Sequence, residues 1–255
     1  MSDSTPRREF VKRRPPATPG SIPDVLGIFT AELRFYREIA PEVGVRVPAL
    51  YRAEDGPEGT LLAVEDLSDW AEGADAVTYA TTLRTLHERW RGRAEARWEW
   101  VRRPGAGAAE VAALWAGVWP SLAAHPGLTP GVREAGERLL EYVEPSSPPG
   151  PLTLCHGDAS ARNARTGPDG EVALLDWEDV SLGTGTDDLV WMLVSSTDPE
   201  RWDEAIAAYA PSRDLTPEWP DALQQGLFSL SDDPDGPEAE GWCTRLAEAH
   251  RRLTA

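Results

Sequence analysis

Two short apolar strands, set in a stretch otherwise patterned as helix, constrain this fold more than any other feature. They are Leu152 to Leu154 and Val172 to Leu175, joined by a loop and the turn Gly167 to Gly170. The first runs into Cys155-His156-Gly157-Asp158, and Asn163 closes the same loop; the second runs into Asp176-Trp177-Glu178. Read as a single hairpin, the two strands bring their ends together, so Asp158, Asn163 and Asp176 can converge. Carboxylates and an amide oxygen are hard ligands that suit magnesium, which keeps one or two carboxylates and fills its shell with water and phosphate oxygens. A carboxylate beyond the metal's needs is free to orient or deprotonate a hydroxyl. On its own, an Asp–Asn–Asp set on loops is also ordinary turn chemistry.

The surrounding pattern is mainly helical. Residues 76–91 place Leu83, Leu86, His87 and Trp90 on one face, a second helix covers 108–124, and a third starts at Thr129 with Pro130 in its first position. The run Pro145 to Pro151 ends that third helix, and from Asp187 the chain is helical again with an acidic loop at Ser231 to Gly241. The front is different. Arg8 to Arg13 reads as a strand with Phe10 and Lys12 on one face. Ser21 and Asp24 resemble a capping box that opens a helix running to about Ala40. Glu32 shares a stripe with Phe29 and Tyr36 on that helix, so it points to the packed side. Val45 to Tyr51 and Thr60 to Glu65 read as strands about the turn-rich segment Glu54 to Gly59.

The segment Leu152 to Trp191, about 40 residues, resembles the signature of aminoglycoside phosphotransferase and choline kinase-type enzymes, which share the protein-kinase fold. Their pattern is His-Gly-Asp, four residues, Asn, then an Asp opening the next motif. The resemblance implies an α+β, two-lobed fold: a shortened, strand-rich nucleotide-binding lobe over residues 1–66 and a mainly helical lobe over 67–255. It implies Asp158 as the catalytic carboxylate facing the acceptor hydroxyl. Asn163 and Asp176 would hold magnesium, and ATP (or GTP) would be the co-substrate. His156 would pack beneath the loop and Asp188 would brace it from the following helix, while Glu178 would lie on the metal or substrate side.

The front end fits the same resemblance in order. Lys12 would contact the nucleotide phosphates and pair with Glu32, and the backbone near Glu65 and Leu67 would hold the adenine at the hinge between lobes. Of 25 basic residues Lys12 alone is lysine, and a compact ammonium is not interchangeable with a planar guanidinium against phosphate. The family has two strands and a turn or glycine-rich loop before this lysine. Here 11 residues precede it and none is glycine, so the expectation is a truncated or misassigned start.

Composition narrows the rest. A net charge of −18 argues against nucleic acid or an anionic membrane as the main partner, since both need a basic footprint. It leaves room for a cationic acceptor, because residues 171–255 carry 19 acidic and five basic groups. Two cysteines, Cys155 and Cys243, make neither a disulfide framework nor a zinc knuckle, which fits the cytoplasm. The basic start, Arg7 to Arg14, leads into Pro15 and Pro16 rather than an apolar stretch, so no signal peptide is expected. Cys155 beside His156 is no catalytic dyad, because neighbours on a strand point to opposite faces. The rival to a phosphotransferase is a degenerate kinase-fold binding protein that keeps the loop but lacks a competent nucleotide lid.

Overall fold

The computed structural model describes residues 8–140 and 150–255. The front is a three-stranded antiparallel sheet in the order β1-β3-β2, made of β1 (Glu9–Arg14), β2 (Leu50–Gly56) and β3 (Gly59–Glu65). Lys12 pairs with Leu62 across β1 and β3. The strand expected over Val45 to Tyr51 begins later than its sequence pattern. Pro48 has no N–H to give a ladder, and Arg46 makes only an isolated parallel bridge to Ala173. The strand then continues through the first half of the expected turn, as far as Gly56.

The long helix expected up to Ala40 is split. A single turn, α1 (Ile22–Val25), is followed by Gly27 at φ 62°, and α2 (Ile28–Arg34) starts again from there. Glycine takes the left-handed conformation without the Cβ penalty, which is why the break falls there. The capping box does not form around Ser21: the Asp24 carboxylate accepts from the Gly20 N–H at 2.8 Å, and Ser21 Oγ is buried without a partner among the described residues. α2 runs on as a π turn over Phe35–Ile39 and a 3-10 turn over Ala40–Glu42. Phe35 stacks on Trp177 with centroids 4.0 Å apart, fastening α2 to the segment after the second motif strand.

After the short β4 (Ala71–Glu72), the body is helical: α3 (Ala76–Trp90), α4 (Ala94–Arg97), α5 (Ala108–Leu122), α6 (Pro130–Arg138), α7 (Thr186–Ser196), α8 (Trp202–Tyr209), α9 (Trp219–Asp232) and α10 (Ala239–Leu253). Asp75 caps α3 through the Val77 and Thr78 N–H groups, and Thr129 caps α6 through Val132 N–H. α6 closes at Arg138; residues 145–149 of the proline run lie outside the described residues, as does Arg7. α7 is buried on nearly every side and is the axis on which α9 and α10 pack. Nine of the 11 tryptophans are buried, so their main work is packing. Among the described residues no helix is long and apolar enough to cross a membrane.

The two motif strands do not pair with each other. β5 (Thr153–Cys155) pairs with β8 (Ser181–Gly183), while β7 (Val172–Leu174) pairs with β6 (Ala164–Thr166), both antiparallel. The single expected hairpin is therefore two interleaved ladders. Three-residue strands with both faces buried carry too little alternation to specify a partner.

Candidate active site

β5 leads directly into His156-Gly157-Asp158, where the chain turns sharply. Gly157 sits at φ 87°, and a Cβ there would collide with the Asp179 carbonyl oxygen, so glycine is required on both counts. His156 is fully buried, with Nε2 2.7 Å from the Leu175 carbonyl oxygen and Nδ1 accepting from the Asp158 N–H at 3.3 Å. The proton therefore sits on Nε2, and the ring ties the start of the loop to the end of β7. Its other face packs 4.5 Å from Trp177.

Asp188, 2% exposed in the first turn of α7, grips the same loop. It accepts from the His156 N–H at 2.6 Å and the Gly157 N–H at 2.9 Å. It also lies 3.0 Å from His87 Nε2, and His87 Nδ1 is 2.8 Å from the Tyr209 hydroxyl. Burial pushes the Asp188 carboxyl up, but His87, His156 and the Gly157 N–H outweigh it and hold the group below the usual carboxylate range.

Asp158 is held at both oxygens. The Trp191 indole N–H donates to Oδ1 at 2.6 Å, and Asn163 Nδ2 donates to Oδ2 at 2.8 Å and to the Asp158 carbonyl at 2.9 Å. With the Asn163 amide nitrogen committed to Asp158, its carbonyl oxygen is the atom left for a ligand. The β6–β7 hairpin brings in the third residue: the Leu175 N–H donates to the Asn163 carbonyl at 2.8 Å, and Asp176 follows. Asp176 sits at φ 58°, ψ 65°, a left-handed conformation uncommon outside glycine but tolerated by Asp.

That turn aims Asp176 at β1. The Lys12 ammonium lies 2.6 Å from Asp176, 3.0 Å from Glu32 on α2 and 3.2 Å from Glu178. Carboxylate oxygens of these three acids fall within 4.8 Å of one another, around the ammonium. Burial pushes the Lys12 pKa down, but the surrounding carboxylates outweigh it and leave it above its ordinary value. Burial also raises Asp176, and Lys12 reverses that to a net lowering. Glu32, 5% exposed, is pushed up to about 7 by burial against the pull of Lys12. The donor chemistry fits magnesium: an ionised carboxylate from Asp176 and an amide oxygen from Asn163, at the mouth of one hairpin.

At the end of β3, Glu65, expected at a hinge, uses its carboxylate inside the protein, taking Arg46 at 2.6 and 2.7 Å and the Ala49 N–H at 3.1 Å. Its N–H donates to the Ala49 carbonyl, and the buried Leu67 offers its carbonyl to the Trp70 N–H. The structure thus gathers Lys12, Glu32 and Asp176 in one cluster and Asp158 with Asn163 beside it, joined through the β6–β7 hairpin. Glu65 closes β3 and Leu67 lies on the connection out of it. Sequence reasoning overlooked Trp191 as a partner of Asp158. Its signal was its spacing: three residues after Asp188, it shares the helix face that meets the loop.

A model of the phosphotransferase enzyme family matches residues 2–223. No curated protein matches the chain. Among solved structures, a macrolide 2'-phosphotransferase from Brachybacterium faecium shares 21% identity at a TM-score of 0.51, over 92% of this chain and 84% of that one. An aminoglycoside phosphotransferase from Streptomyces rimosus, solved with ADP and streptomycin, shares 19% at 0.55, over 86% of each chain. A choline kinase from Streptococcus pneumoniae shares 17% at 0.58, over 98% of this chain and 87% of that one. At these identities the likeness is one of fold, the protein-kinase-like α+β fold.

Proposed function

Because the chain belongs to the phosphotransferase enzyme family, we propose that it transfers the γ-phosphoryl group of ATP to a hydroxyl of a small acceptor. The observation that carries this reading is the grip on Asp158: both carboxylate oxygens are fixed, one by Trp191 and one by Asn163. A carboxylate so held orients an acceptor hydroxyl and receives its proton as the phosphoryl group leaves the nucleotide. The ADP and streptomycin in the Streptomyces rimosus enzyme support an adenine nucleotide and a small acceptor. The acidic excess of residues 171–255 favours a cationic one.

In this reading residues 1–66 form the nucleotide lobe and residues 67–255 the acceptor lobe. Backbone groups around Glu65 and Leu67 take the adenine edge. Lys12, oriented by Glu32, exchanges its carboxylate partners for phosphate oxygens. Asn163 and Asp176 hold a magnesium ion that, when bound, neutralises charge on the phosphates. His156 and Asp188 keep the loop backbone in place so that Asp158 meets the acceptor at a fixed angle. Catalysis is then positioning and charge stabilisation, with no covalent intermediate on the protein.

A thermal shift with Mg·ATP tests the nucleotide half. Ligand at about 100 times its Kd stabilises by about 2.7 kcal/mol, which for a chain of this size raises Tm by about 5–10 °C. No shift at millimolar nucleotide would favour a binding protein that has lost nucleotide competence.

A further inference from the structure

Resting on the nucleotide reading of Lys12, we propose that Arg14 is a second phosphate-contacting cation of the same site. Arg14 lies two residues after Lys12 on β1, so both side chains leave the same face of the strand. They converge: Arg14 Nη2 is bonded to Glu178 Oε2, and Lys12 Nζ is 3.2 Å from that same oxygen. The guanidinium lies over the Phe29 ring, 4.4 Å from its centroid, which fixes its plane. Its side chain is 18% exposed. Its Nη1 is buried and has no hydrogen-bond partner among the described residues.

That orphan donor is the central observation. A buried N–H of a charged group left unpaired costs more than about 1–3 kcal/mol, and native structures keep such groups rare unless a ligand or water completes them. Here the orphan belongs to a guanidinium set against the ammonium expected to meet phosphate. The planar fork of arginine can hold a carboxylate through one arm and a phosphate oxygen through the other, a geometry that lysine does not match. Two cations, Lys12 and Arg14, share three carboxylates, Glu32, Asp176 and Glu178. Phosphate oxygens arriving at Lys12 enter a cluster in which a second cation already has a free donor. Arg14 keeps Glu178 through Nη2 and offers Nη1 to the ligand.

Equilibrium binding of Mg·ATP by calorimetry tests this, with Lys12→Ala, Arg14→Gln and Arg14→Lys beside the wild type, each checked for folding by circular dichroism and Tm. The expected result is that Arg14→Gln weakens Mg·ATP about 10- to 100-fold, the range for losing a hydrogen bond to a charged partner. Arg14→Lys, which keeps the charge without the fork, recovers part of that loss. If Lys12→Ala weakens binding while folded Arg14→Gln and Arg14→Lys bind as the wild type does, Arg14 is only a strut to Glu178 and the inference falls. If Lys12→Ala also binds normally, the nucleotide reading beneath it falls as well.

Discussion

Asp188→Asn changes one oxygen to an amide nitrogen at a buried position, away from bulk solvent. The carboxylate takes three contacts: the His156 N–H at 2.6 Å, the Gly157 N–H at 2.9 Å and His87 Nε2 at 3.0 Å. His156 and His87 meet the same oxygen, so the least costly amide orientation keeps the carbonyl there and turns its NH2 toward Gly157. One backbone N–H is then buried unpaired, at about 1–3 kcal/mol, and the two surviving bonds lose their charge assistance. The sum is about 3 kcal/mol, a large part of the 5–15 kcal/mol that holds a typical domain. The pH dependence has a fixed sign. Asp188 has a lowered pKa in the folded protein, so its contribution is complete above the unfolded carboxylate value of about 4 and fades as pH falls through the folded one. Urea unfolding at pH 7.5 and at steps down to about pH 2 measures both. A loss under about 1 kcal/mol at pH 7.5, within the range of an exposed polar change, would refute the claim that Asp188 anchors the loop. So would a gap between variant and wild type that widens as pH falls below 4.

Trp191→Phe keeps the ring but removes the N–H from Asp158; kcat should fall about tenfold or more, as for other lost positioning contacts, with nucleotide Kd unchanged. Equal changes in both constants would assign Trp191 to packing alone. Lys12→Arg keeps the charge, but a guanidinium does not fit among oxygens 2.6–3.2 Å from one nitrogen; both nucleotide affinity and rate should drop markedly, and wild-type kinetics would make the lone lysine a coincidence. Glu32, raised to about 7 by burial, lowers the stability of the metal-free protein as pH climbs from about 4.5 toward 7, because folding disfavours its charged form there. Glu32→Gln should remove that decline in Tm-versus-pH scans; an unchanged slope would show that Glu32 does not titrate in this window.

The helices α3, α5 and the start of α6 were legible because their apolar period and, for α6, the Thr129–Pro130 start act locally. The order of Lys12, Glu32, Asp158, Asn163 and Asp176 along the chain was legible for a different reason: it resembles an ordered family signature, with Lys12 on a strand, Glu32 on a helix and the other three in and after one loop. Pairing was not legible. Thr153–Cys155 and Val172–Leu174 look like partners by proximity and composition, yet each takes a strand, Ser181–Gly183 or Ala164–Thr166, whose own pattern is too short to announce itself. The break at Gly27 was hidden because isolated glycines are also tolerated inside helices. Arg14 escaped because nothing in an arginine among 24 marks it, before folding, as the one that meets Glu178, and Trp191 carried only its helical spacing from Asp188.

Transfer of labelled phosphate from ATP to a panel of hydroxylated amines and sugars, with wild type and Asp158→Asn run side by side, tests the central claim most directly. The account predicts magnesium-dependent product from the wild type. It predicts loss of turnover of about a hundredfold or more in the variant, the scale of a lost acid–base or orienting group, with Mg·ATP binding intact. A folded Asp158→Asn protein that phosphorylates the same acceptor at the wild-type rate would contradict it.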